Sequence, residues 1–147
     1  MTHRDAGKYA QKHPPGTLLD QRLAKAVKKK ARSGKLSCAV ASRLAEELGV
    51  SMADIGRTAD LLEIRIHNCM LGLFGRHTAT GQKRKIAKAD AVSPEMERAI
   101  LSSVESGRLP CARAWEIADE QGISRESVSS FCEALEIKIS NCQLGAF

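Results

Sequence analysis

Aromatic side chains are scarce in this 147-residue chain: one Trp, one Tyr and three Phe, 3% of the whole. A core must therefore come mainly from Leu, Ile, Val and Ala, which suits small helices. No apolar run approaches the roughly 20 residues a membrane span needs, and Met-Thr-His-Arg-Asp at the start leads into no apolar signal-peptide core. A cytoplasmic protein with no membrane partner is the expectation. A Gly-rich phosphate loop, a His-Glu metal motif and a nucleophile elbow are all missing from the sequence. The expectation is accordingly not an enzyme, with no cofactor. Nor does any Cys-x-x-Cys occur among the five cysteines.

What the chain does contain is a duplication. From Gly34-Lys35-Leu36-Ser37-Cys38-Ala39 and Gly107-Arg108-Leu109-Pro110-Cys111-Ala112 the two copies stay in step, without a gap, to Phe74 and Phe147. At a constant offset of 73, 18 of the 41 positions are identical. The period is too long for a solenoid of roughly 20 to 50 residues per unit, so two copies of one small domain are expected. Units of this size lie near the lower limit for independent folding, so each should lean on its twin or on another chain.

Charge divides the chain unevenly. Residues 1–16 carry +2, residues 17–74 carry +4, residues 75–92 carry +4 and residues 93–147 carry −4, for a total of +6. The division read from these features is a flexible basic tail (1–16), a first unit (17–74), a basic mobile linker (75–92) and an acidic second unit (93–147).

Within each unit the pattern predicts helix, short strand, helix, turn, helix, strand. Leu19, Leu23, Val27 and Ala31 recur every four residues in the first helix, among Lys25, Lys28, Lys29, Lys30 and Arg32. Its copy has Ser93 as N-cap, Pro94 at the first helical position and Met96, Ile100 and Val104 on one face. A second helix runs from Cys38 to Leu48, or from Cys111 to Gln121, and stops at Gly49 or Gly122. Ser51 and Ser124 cap a third helix. Glu63-Ile64-Arg65-Ile66-His67 and Glu136-Ile137-Lys138-Ile139-Ser140 alternate as half-buried strands do. The Asn68/Asn141 and Gly72/Gly145 pairs suggest a fixed turn after the strand.

The second and third helices resemble the helix-turn-helix family of DNA-binding domains. The residues that carry the resemblance are Ala45, Gly49 and Ile55, repeated as Ala118, Gly122 and Val128: a small residue, a turn Gly four later and an aliphatic six further on. The flanking strands resemble the winged variant. The implied fold is mainly α: two tandem small helix-turn-helix units, each three helices plus a short strand pair. The implied function is a sequence-specific binder of double-stranded DNA, most simply a transcriptional regulator. Its third helices would enter the major groove with Ser51, Met52, Ala53, Gly56, Arg57 and Asp60, and with Ser124, Arg125, Glu126, Ser129, Ser130 and Glu133, facing outward. Arg57 and Arg125 would reach guanine, while Lys28, Lys29, Lys30, Lys83, Arg84 and Lys85 would neutralise phosphates.

Two other readings stand beside this one. A helix-turn-helix fold that binds protein has the same packing residues, with the acidic second unit as a docking surface for a partner or a homodimer. Cys38 and Cys69 recur as Cys111 and Cys142, so thiol pairs could form a metal site or a redox sensor. Buried structural thiols explain the same repetition. Cys132, replaced by Ala59 in the first copy, reads as core. Trp115 stands where the first copy has Ser42, and fills a gap peculiar to the second unit or serves as a partner-binding anchor.

Overall fold

The structure, a computed structural model, describes residues 6–74, 76–77 and 83–147, with side chains for 6–74 and 85–147. Among the described residues it is mainly helical, with six α-helices and two matching short strand pairs. In the first repeat α1 (Gln21–Lys30) is followed by β1 (Lys35–Ser37), α2 (Cys38–Leu48), α3 (Met52–Leu61) and β2 (Arg65–His67). A two-residue antiparallel pair, β3 (Arg76–His77) with β4 (Lys83–Arg84), lies in the stretch expected to be a mobile linker. The second repeat copies the first as α4 (Pro94–Ser102), β5 (Arg108–Pro110), α5 (Cys111–Gln121), α6 (Arg125–Ala134) and β6 (Lys138–Ser140).

Local chemistry sets these boundaries. Ser51 accepts the Asp54 N–H while the Asp54 carboxylate takes the Ser51 N–H, a capping box that fixes the start of α3. Ser93 and Ser124 cap α4 and α6 through Met96 and Ser127 N–H. Gly49 and Gly122 end α2 and α5 in the left-handed region, at φ 65° and 64°, where a Cβ would be strained. The first helix is shorter than its apolar stripe suggested. Asp20 accepts from the N–H of Arg22 and Leu23, so Leu19 lies before the helix and Ala31 is already its extended C-cap. The strands are shorter too, because Glu63 and Glu136 sit at φ 53° and 59° and belong to the helix exits. Asn68 and Asn141, and Gly72 and Gly145, also have positive φ, as a repeated turn requires.

Each strand pair joins the segment before the helix pair to the segment after it. Both are parallel: Leu36 faces Ile66 in β1·β2, and Leu109 faces Ile139 in β5·β6. Among the described residues neither pair gains a third strand.

The chain's contacts divide it differently from its repeats. Unit 1 is Met1–Cys69 with Gln143–Phe147, and unit 2 is Met70–Cys142. The last five residues of each repeat, Met70–Phe74 and Gln143–Phe147, thus leave their own repeat and complete the other. In unit 1 the core is Leu23, Val27, Leu36, Ala41, Leu44, Ile55, Ala59 and Ile66, joined by Leu144 from the far end of the chain. In unit 2 it is Met96, Ile100, Leu109, Ala114, Ile117, Val128 and Cys132, joined by Leu71.

The expectation of a free N-terminal tail fails for residues 9–13. Tyr9–Lys12 form a 3-10 turn with Tyr9 only 5% exposed. The N–H groups of Tyr9 and Ala10 donate to the two Glu63 oxygens at 3.0 and 2.9 Å. Their partner lies more than 50 residues away in sequence, so no local periodicity could announce the contact.

Candidate nucleic-acid interface

The outer surface of α1 is cationic throughout. At about 100° per residue, burial of Leu23, Ala24 and Val27 turns Arg22, Lys25 and Lys29 directly outward and places Lys28 and Lys30 on the two margins. All five are exposed, and among the described residues none forms an ion pair. The surface continues beyond the helix. Arg32 and Lys35 close a tight turn through reciprocal backbone bonds of 2.9 Å, with Ser33 and Gly34 at positive φ between them. Lys35 and Arg65 are register partners on β1 and β2, and both are exposed. Arg32 is also held: its Nη1 donates to the carbonyls of Lys29 and Ala31 at 2.8 and 3.0 Å, capping the end of α1.

The third helices are placed differently from their expected role. In α3 only Ala53 and Arg57 are exposed; Met52 is half-buried. Gly56 is buried, and a Cβ there would stand 2.0 Å from the Leu144 carbonyl oxygen, so the tail of the second repeat crosses the helix at this point. Asp60 is 5% exposed and accepts from Lys12 Nζ and His13 Nε2, both at 2.9 Å. Lys12 Nζ also donates to the Gly145 carbonyl at 3.0 Å, which ties the N-terminal turn to that same tail. Gly56 and Asp60, expected to face outward, are thus covered by two segments remote in sequence. Arg57 pairs with Asp54. The Ser51 hydroxyl and N–H, with Arg57 adding its charge, hold the Asp54 carboxyl below its ordinary range.

In α6 no residue is exposed. Arg125 lies over the Trp115 ring at 3.6 Å from its centroid, faces Asp119 at 3.6 Å and donates to Met70 Sδ at 3.2 Å. It is occupied by packing within unit 2. Ser129 is 1% exposed, and among the described residues neither its Oγ nor the buried Trp115 Nε1 has a hydrogen-bond partner. Ser124 Oγ and Ser127 Oγ lie 2.7 Å apart, and Ser130 donates back to the Glu126 carbonyl at 3.3 Å. Ala89 N–H donates to the Ser130 carbonyl of this helix at 3.1 Å. Lys85 is exposed, whereas the side chains of Lys83 and Arg84 lie outside the described residues.

Comparison with protein-family models, with characterised proteins and with solved structures gave no match. What bears on function is therefore the chemistry of the surface itself.

Cys38 and Cys111 are buried, and Cys69 and Cys142 half-buried. Among the described residues no three His, Cys, Asp or Glu side chains form a metal-binding group. Cys132 is core, as its replacement by Ala59 suggested, and desolvation raises its thiol to about 11, with Glu133 adding a smaller push. No described helix is long and apolar enough to cross a membrane.

Sequence reasoning found the α1 lysines through their density. It did not single out Arg65 or Arg43 for this surface, since both look like ordinary solvated positions. The pairing of β1 with β2 is what brings Arg65 beside Lys35.

Proposed function

We propose that the protein binds double-stranded DNA through the cationic face of unit 1, and that a DNA-associated regulator is its simplest role. The supporting observation is a set of exposed cations on α1, its following turn and the β1·β2 pair, Arg22, Lys25, Lys28, Lys29, Lys30, Arg32, Lys35 and Arg65, with no ion-pair partner among the described residues. Unpaired cations in such density repel one another, and phosphates relieve that repulsion while releasing counterions. The contact is to the backbone, with α1 and the strand pair against phosphates. From α3 only the first turns, Ser51, Ala53 and Arg57, remain open to a groove.

Burial disfavours third-helix insertion as the binding mode. A helix that reads base edges needs a free face, whereas every residue of α6 is buried or half-buried and α3 is crossed by the chain at Gly56. Binding of this kind has modest sequence preference and steep salt dependence. The test is fluorescence anisotropy of a duplex across a salt series. The full-length protein should give a log–log slope of about −4 if four cations meet phosphates. Replacing Lys28, Lys29 and Lys30 by Glu should weaken binding about 100-fold or more at low salt. A shallow slope, or no loss in the triple variant, overturns the proposal.

A further inference from the structure

At one end of the cationic face lies a hollow of about 260 Å³ lined by Lys30, Arg32, Val40, Arg43, Leu44 and Glu47. Val40, Arg43, Leu44 and Glu47 follow the i, i+3, i+4, i+7 spacing, so one face of α2 forms the floor and one wall. The end of α1 and the Arg32 turn form the rest. Three features make this a prepared site. Arg32 is fixed by its two bonds to backbone carbonyls, so its guanidinium is already held in place and its remaining N–H groups are available. Val40 and Leu44 supply apolar surface beside the cations. Three cations against one carboxylate leave the hollow two positive charges in excess.

The second repeat shows that this charge is not imposed by the fold. The equivalent positions are Ser103, Glu105, Arg113, Glu116, Ile117 and Glu120, so one cation faces three carboxylates. The turn is the same, with Glu105 and Arg108 bonded as Arg32 and Lys35 are. There Arg113 pairs with Glu116 at 2.7 Å, and that carboxylate raises the Arg113 guanidinium above its ordinary value.

We infer that the hollow seats a phosphomonoester dianion, with Lys30, Arg32 and Arg43 as its ligands and Val40 and Leu44 against the attached organic group. A phosphomonoester carries about −1.5 to −2 at neutral pH and matches the excess charge, where a backbone phosphodiester carries only one. The volume is near the low end for ligand pockets, right for a phosphate with one small group attached. The site rests on the reading of this face as phosphate-binding, and two sources supply its ligand: the terminal phosphate of a DNA strand and a free phosphorylated small molecule.

The experiment has two arms, both on the full-length chain. In the first, phenyl phosphate is titrated by NMR or calorimetry into the wild type, Arg43→Gln and Lys25→Gln. Saturable binding is expected, weakened about tenfold by Arg43→Gln, the equivalent of one charge-assisted hydrogen bond, and little changed by Lys25→Gln. No saturation, or equal loss in both variants, overturns the site. In the second arm, duplexes with 5′-phosphate and 5′-hydroxyl ends are compared. An Arg43-dependent preference for the phosphorylated end assigns the site to strand termini. Equal binding of the two duplexes, with phenyl phosphate still held, assigns it to a small molecule. If neither duplex binds at low salt, the DNA reading falls, and the first arm alone still decides the hollow.

Discussion

The two units share one frame and differ in what they do with its surface. Unit 1 carries thirteen Lys and Arg against seven Asp and Glu, and unit 2 carries ten of each. At three matched positions the sign inverts, Arg22, Arg32 and Arg43 becoming Glu95, Glu105 and Glu116, and at three more the charge is lost, Lys28, Lys29 and Lys30 becoming Leu101, Ser102 and Ser103. The serine caps of the third helices, the glycine ends of the second helices, the turns and the strand register are retained, while Ser37, which caps α2, becomes Pro110, which supplies no side-chain cap. Duplication thus separated two requirements that a single copy must meet together. The buried half of each helix preserves the fold, and the exposed half is free to take either charge.

The same pairing separates the third helices. Where α3 has Gly56, α6 has Ser129. The first lets a carbonyl approach the helix within a distance no Cβ tolerates, and the second buries a hydroxyl with no partner among the described residues. Gly56→Ala should be the most damaging change in the pair. It gains roughly 1 kcal/mol in helix propensity, yet it forces Leu144 away from α3, at a net cost of about 3 kcal/mol. Denaturant unfolding should show the loss, and limited proteolysis should show the Gln143–Phe147 segment freed. If the variant matches wild-type stability, the crossing at Gly56 is not a tight one.

Asp60→Asn tests the fastening over α3. The amide preserves shape but leaves Lys12 and His13 without their carboxylate, and a loss of about 2 kcal/mol is expected. Hydrogen exchange should speed up at the Tyr9 and Ala10 amides more than in β1. The equivalent change in the other unit, Glu133→Gln, should have little effect.

Next in size is a transplant. Leu101→Lys, Ser102→Lys and Ser103→Lys together give unit 2 the cations of α1, and duplex affinity should rise about tenfold at low salt with a steeper slope. No gain would mean that the face of α1 acts through its shape and not its charge. The smallest expected effect is Ser129→Ala, which removes the unpartnered hydroxyl. It should stabilise unit 2 by about 1 kcal/mol, raising the melting temperature by about 3 °C.

Much of the frame is legible from local residues. Ser51, Ser93 and Ser124 mark helix starts, Gly49 and Gly122 mark helix ends, and the pairing of Leu36 with Ile66 follows from strands placed on either side of two helices. The exchange of tails is not legible, because Asn68–Phe74 and Asn141–Phe147 share one motif and nothing in it says which copy it covers. Gly56 did hold a signal. A glycine in the middle of a helix is costly, and its usual cause is a close backbone approach. Asp60 was misleading for a related reason: a polar residue on a helix looks solvated unless its partners are known, and Lys12 and His13 lie almost 50 residues away. The cationic face was half legible, since clustered lysines show in sequence, while Arg65 joins them only through strand pairing.

The composition of unit 1 also sets an order of events during synthesis. Its first 69 residues leave the ribosome with α3 uncovered at Gly56, and the 73 residues of unit 2 must be translated before Gln143–Phe147 exists to cover it. At roughly 5 to 20 residues per second the wait is about 4 to 15 s. Throughout that interval the nascent first unit exposes the groove that later receives Leu144, and any chaperone or neighbouring nascent chain meets it in that form.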